Sequence, residues 1–177
     1  MQPEGAGSPD HPAPGPAASS PPGRFEGRQA FQTGVRAMFS RAADTGWRDM
    51  LWCDPDFADW PLGERAVVEG LQRWARPGRR LMLLAAGYRE MERFHARFVH
   101  WRRQWDILID ARQAPRADAS GMPSLLLGGD RVLHRLDVER CRGWVSDDPA
   151  VRLRLKEQVE DLRRRSAPAF PATTLGL

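Results

Sequence analysis

The chain has 177 residues, 41% of them hydrophobic, and a formal charge of +4, which suits one domain with a proper core and is too short for two comfortable ones. No run of eighteen apolar residues occurs, and the first twenty residues are largely Pro, Gly, Ala and Ser in place of a charged start and an apolar stretch, so neither a spanning helix nor an export signal is expected, and a cytoplasmic location is. Cys53 and Cys141 stand far apart without a CxxC pattern, which excludes a disulfide framework and a zinc knuckle.

Residues 1–24, "MQPEGAGSPDHPAPGPAASSPPGR", hold almost nothing to bury, so they are expected to form a disordered N-terminal tail ahead of a single α/β domain over 25–165. Phe31, Val35, Met38, Phe39 and Ala42 make one helical face, ended by Asp44 to Gly46. "DMLWC" (49–53) is a predicted buried strand, and a helix over about 64–75 turns Val67, Val68, Leu71 and Trp74 inward before Pro77 and Gly78 stop it. "RLMLLAA" (80–86) is a second strand. The spacing of Met91, Phe94, Phe98, Trp101 and Trp105 predicts one long helix from Tyr88 to about Gln104. "DILIDAR" (106–112) makes a third strand; after the turn-rich 113–121, "MPSLLLGGD" (122–130) and "RVLHRLD" (131–137) form a hairpin across Gly128 to Asp130, and "GWV" (143–145) is a further strand. Asp147 or Asp148 caps a last helix over about 150–165, and residues 166–177, "SAPAFPATTLGL", follow as an extended C-terminal tail. Strands alternating with helices across short connections predict an α/β fold with a mixed, mainly parallel sheet flanked by helices, the hairpin adding antiparallel strands at one side.

The run from Asp49 to Leu162, with "DMLWCDPDF", "RRLMLLAAGYREMERFHARFVHWRRQWDILIDAR" and the apolar strand leading to Asp130, resembles a single phospholipase D-like repeat. The phrases "DWPLGERAVVEGL" and "PAFPATTLGL" are similar to those of a bacterial family of phospholipase D-like domains of unknown function. Active members of that superfamily carry His-x-Lys-x-x-x-x-Asp on this strand, where the histidine attacks phosphorus and the lysine steadies the anionic oxygens. The resemblance puts the histidine position at Pro123, the lysine position at Leu125 and the acid at Asp130, with no second copy of the motif. It therefore implies a pseudoenzyme without catalytic residues or cofactor, which acts by binding a protein partner or a small anionic ligand and forms a homodimer across the old cleft. A remnant pocket would be lined by Asp54, Asp130 and His134; the plainer reading makes Asp130 a turn residue and His134 a packed one.

Asp54 and Asp56 at a strand end, with Asp59 nearby, fit the acids that aspartyl phosphatases place around Mg²⁺, but Asp147 and Asp148 precede Lys156 where that chemistry needs the opposite order, so a solvated turn is preferred and no metal site is expected. His95 and His100 are five apart and do not make a helical metal pair. Arg89, Arg93 and Arg97 lie on an i, i+4 line as a candidate anion-binding stripe, for which a solvated charged face is the simpler explanation. Only Lys156 among the 27 basic residues is a lysine, a bias that a GC-rich bacterial genome explains. Residues 1–70 hold six Arg against ten acids, a charge of −4, whereas 71–116 hold eleven Arg against four, a charge of +7. Binding of nucleic acid through 71–116 is therefore an alternative function, and a hydrolase with a non-standard acidic and histidine site is another, although the small net charge argues against nucleic acid as the expected partner.

Overall fold

The computed structural model describes residues 23–172; residues 1–22 of the expected N-terminal tail and 173–177 of the C-terminal one lie outside the described residues. The element order is β1 (Gly23–Phe25), α1 (Arg28–Thr45), β2 (Asp49–Asp54), α2 (Arg65–Trp74), β3 (Arg80–Ala85), α3 (Arg89–Phe94), α4 (Ala96–Gln104), β4 (Ile109–Gln113), β5 (Ser124–Gly128), β6 (Arg131–Asp137), β7 (Arg142–Ser146), α5 (Pro149–Arg165) and β8 (Ala167–Pro168). Gly23 and Arg24, expected in the tail, pair with Val145 and Trp144 of β7. Ala167 and Pro168 likewise add a short strand to β4.

The class is α/β, with one eight-stranded sheet in the order β1-β7-β6-β5-β2-β3-β4-β8. The expectation of a mainly parallel sheet is corrected: only β2–β3 and β3–β4 are parallel, and the other five ladders are antiparallel. The reason lies in the β4–β5 connection, residues 114–123, which contains a single 3₁₀ turn. A parallel return needs a crossover of a dozen or more residues, usually a helix. Without one the chain stays at the end of the sheet where β4 finishes, so β5 runs back antiparallel to β2, and hairpins carry it on to β6 and β7.

Alternation along the strands divides the interior. Met50 and Trp52 of β2, Leu81 and Leu83 of β3, and Leu133 of β6 join Phe31, Val35 and Phe39 of α1, Leu71 and Trp74 of α2, Met91 of α3 and Phe98 of α4 in the larger core. Leu51, Cys53, Leu84, Leu125 and Val132 turn to the opposite face and meet Leu155, Val159 and Leu162 of α5. Four helices therefore share one face, whereas α5 alone covers the other and leaves part of it open. Asp148 caps α5 by accepting from the Ala150 N–H at 2.8 Å, and Gly46, in the left-handed region at φ 69°, closes α1.

The single helix expected from Tyr88 to Gln104 is two. His95 interrupts it at φ −120° and ψ 46°, and its Nε2 lies 2.8 Å from the Phe57 carbonyl oxygen. That bond draws the side chain inward, so the apolar periodicity continues across a break in the backbone.

Gly143 permits the close approach of β7 to its neighbours. A Cβ there would stand 2.1 Å from the His134 carbonyl oxygen and 2.5 Å from the Phe25 ring. Gly143→Ala is expected to cost about 1–3 kcal/mol, read as a lower urea midpoint at unchanged slope; an unchanged midpoint would contradict this packing.

Candidate nucleic-acid interface

The acids that the sequence brings forward sit at the C-terminal end of β2, and most of them are bound internally. Asp54 is 0% exposed. Its Oδ1 accepts from the Phe57 N–H at 2.8 Å and the Asp56 N–H at 3.2 Å. Its Oδ2 accepts from Trp60 Nε1 at 2.9 Å, Ser124 Oγ at 2.5 Å and an Arg135 guanidinium nitrogen at 2.8 Å. Arg135, also 0% exposed at its side chain, donates in addition to Ser124 Oγ and Asp59 at 2.9 Å each, and its guanidinium stacks 4.4 Å from the Phe31 ring centre. Burial alone would lower the Arg135 pKa, but Asp54, Cys141 and Asp59 together hold it above its ordinary value. Burial and the Asp54 charge push the Cys53 thiol well up, which leaves it protonated and unreactive at neutral pH. With five protein donors on its carboxylate, Asp54 has no room for a solvent ligand; among the described residues no group of three or more His, Cys, Asp or Glu could hold a metal ion.

The three residues expected to share a pocket lie apart. Asp130 is in the β5–β6 turn, two residues past the Gly128–Met50 pair, and hence at the opposite end of β2 from Asp54. It is clamped by Arg41 of α1, whose hydrogen bond holds the carboxyl below its usual range. His134 is on the α5 face of β6, paired with Leu125, with its ring edge-on to Trp144 at 5.2 Å. Pro123 precedes β5, and Leu125 is wholly buried against α5. The stripe of Arg89, Arg93 and Arg97 is divided by the break at His95: Arg93 lies over the Phe94 ring at 5.0 Å, and Arg97 donates to the Gly63 carbonyl at 3.0 Å.

A different grouping appears on the open part of the sheet, beside α5. A cleft of about 620 Å³ is floored by Leu51, Met82 and Leu127 and rimmed by Arg48, Arg80, Arg152 and Lys156. Its two acids are already engaged. Asp49 pairs with Arg80 at 3.1 Å, and Glu160 accepts two bonds from Arg163 at 2.6 and 2.7 Å. Arg48 and Lys156 are exposed and donate to no acceptor among the described residues. Arg152 reaches over the hairpin turn to the Asp130 and Asp147 carbonyls. Of the eleven arginines in 71–116, the stretch singled out by charge, only Arg80 is at this cleft. Arg48, Arg152 and Lys156 come from outside that stretch, so a running charge count does not reveal them.

No protein-family model matches the chain, and no curated protein does. The fold is similar to that of TrmBL2, an archaeal chromatin protein whose structure shows a novel mode of DNA binding, with a TM-score of 0.61, 14% identity and coverage of 84% of this chain and 54% of that one. This chain thus spans about half the length of that protein. These findings correct three expectations. The phospholipase D-like resemblance, with the pseudoenzyme it implied, has no support; the similar fold is that of a chromatin protein. A bacterial origin is not shown, the similar protein being archaeal. The expectation that sets nucleic acid aside on net charge is corrected as well, since the protein of similar fold binds DNA. No helix among the described residues is long and apolar enough to cross a membrane.

Burial lowers the pKa of His95, with Arg28 adding to it, and burial lowers that of His134, with Arg154 adding to it. An unfolded histidine takes up a proton near pH 6.5, so as the pH falls the unfolded chain binds protons before the folded one, and stability decreases from about pH 6.5 downward. Melting curves between about pH 7.5 and 5 should show this slope, and His95→Gln with His134→Gln should flatten it; the same slope in the double variant would assign it to other groups.

Proposed function

We propose that this chain is a nucleic-acid-binding domain that takes the phosphate backbone of duplex DNA along the cationic rim beside α5. The observation that carries the reading is the cleft itself, where four cations from β2's entry, β3 and α5 meet two acids, of which Asp49 offsets Arg80 and Glu160 is held by Arg163 outside the cleft, so that Arg48 and Lys156 are left uncommitted. Phosphates find there an excess of donors that folding has not consumed, and arginine's planar fork suits them. The similarity to a DNA-binding chromatin protein supports the same reading. An apolar floor between the cations fits the sugar and base edges of a duplex less closely than the rim fits its phosphates, so affinity rests on backbone contacts and sequence selectivity is low.

The test is fluorescence anisotropy with a short labelled duplex across a salt series. Four phosphate contacts give a log–log slope of roughly −3.6 and a loss of about a hundredfold in affinity between 50 and 200 mM salt. Arg48→Ala combined with Lys156→Ala breaks no internal bond and should flatten the slope by about 2. No binding at low salt, or the same slope in the double variant, would overturn the proposal.

A further inference from the structure

On the other side of the molecule, away from the cationic cleft, α2 and α4 run side by side and leave a groove of about 460 Å³ between them. Positions 65, 68, 69 and 72 of α2 and positions 97, 100, 101 and 104 of α4 each recur at the three- and four-residue spacing of one helical face, and all eight line the groove. Val68, Ala96 and Trp101 are its apolar walls, the first two too small to fill the space between the helices. Near the C-terminal ends of the two helices Trp105 Nε1 donates to Gln72 at 2.9 Å, which ties them together there. At the other end stand Arg65, held by Glu69 at 2.8 Å, and Arg97.

Two features of this groove are left over from folding. Trp101 is 2% exposed, yet its indole N–H has no acceptor among the described residues, although buried indoles usually find one and an unmet donor is costly. Arg97 uses one nitrogen on the Gly63 carbonyl and forms no ion pair among the described residues, and His100 is exposed beside it. The indole nitrogen itself is buried behind the wall, and an apolar trough with cationic groups at its rim is complementary to a molecule with an apolar body and an anionic head. We infer that the α2–α4 groove is a binding site for a small amphipathic carboxylate. The groove extends over only about two helical turns, roughly 11 Å, which suits a small molecule better than a partner helix.

Decanoate is the probe, with decanol as its uncharged counterpart, added to the full chain. Calorimetry should give saturable one-to-one binding of decanoate, weakened at least tenfold in Arg97→Gln and abolished in Val68→Trp, which fills the trough. Decanol should bind at least tenfold more weakly than decanoate. In ¹H–¹⁵N spectra one indole N–H resonance, lost in Trp101→Phe, should move on titration. Absence of saturable binding up to millimolar decanoate, equal binding of decanol, or decanoate affinity indifferent to both Arg97→Gln and Val68→Trp would overturn the inference.

Discussion

A carboxylate and a guanidinium fully removed from water, Asp54 and Arg135, hold this fold in register. Each ion loses several kcal/mol of hydration on burial, and that loss is tolerable only where geometry and further hydrogen bonds compensate it. Here Asp54 closes β2, Arg135 lies on β6, and Ser124 of the intervening β5 bonds to both. Trp60 and Asp59 bring in the loop after β2, and Phe31 brings in α1 through its ring. Five segments, from α1 to β6, therefore have a single arrangement that satisfies the pair. A slip of one residue in β6 would turn Arg135 to the α5 face and leave Asp54 buried without its main counter-charge.

Much of the fold was legible because hydrophobic alternation and helical spacing are local signals. The strands 49–53, 80–86 and 131–137 follow from short stretches read alone, as does the capping of the last helix by Asp147 or Asp148, of which the structure uses Asp148. The direction of β5 was not legible from its own residues, since "SLLLG" fits a parallel or an antiparallel neighbour equally well; the deciding fact is the short connection before it, which holds a 3₁₀ segment but no α-helix. The break at His95 was hidden for a related reason. The apolar positions on either side keep helical spacing, and the interruption comes from a tertiary bond to Phe57, whose own backbone is in the left-handed region at φ 60°. β1 and β8 are edge strands of three and two residues, too short to carry a pattern.

The candidate site was less legible than the fold. Asp54 is expected from the sequence in a solvated turn or a remnant pocket, and the structure instead buries it completely: its partner lies eighty-one residues later, and nothing local to "CDPDFAD" announces it. The cationic rim shows the same limit from the other side. Arg48 and Lys156 are unremarkable in their own surroundings and acquire meaning only when the sheet places the start of β2 next to α5. Division of labour follows from this geometry, with the acids spent on the interior at one end of β2 and uncommitted cations displayed near the other.

The most direct measurement is a double-mutant cycle of Asp54→Ala and Arg135→Met, with unfolding free energy and duplex-DNA affinity recorded for every variant that folds. Each single change should cost about 3–5 kcal/mol, the double change should cost well below their sum, and folded variants should keep the parent's affinity for DNA. Additive losses, or DNA binding that fails while the unfolding free energy holds, would contradict a structural role for the pair and move the functional centre to Asp54.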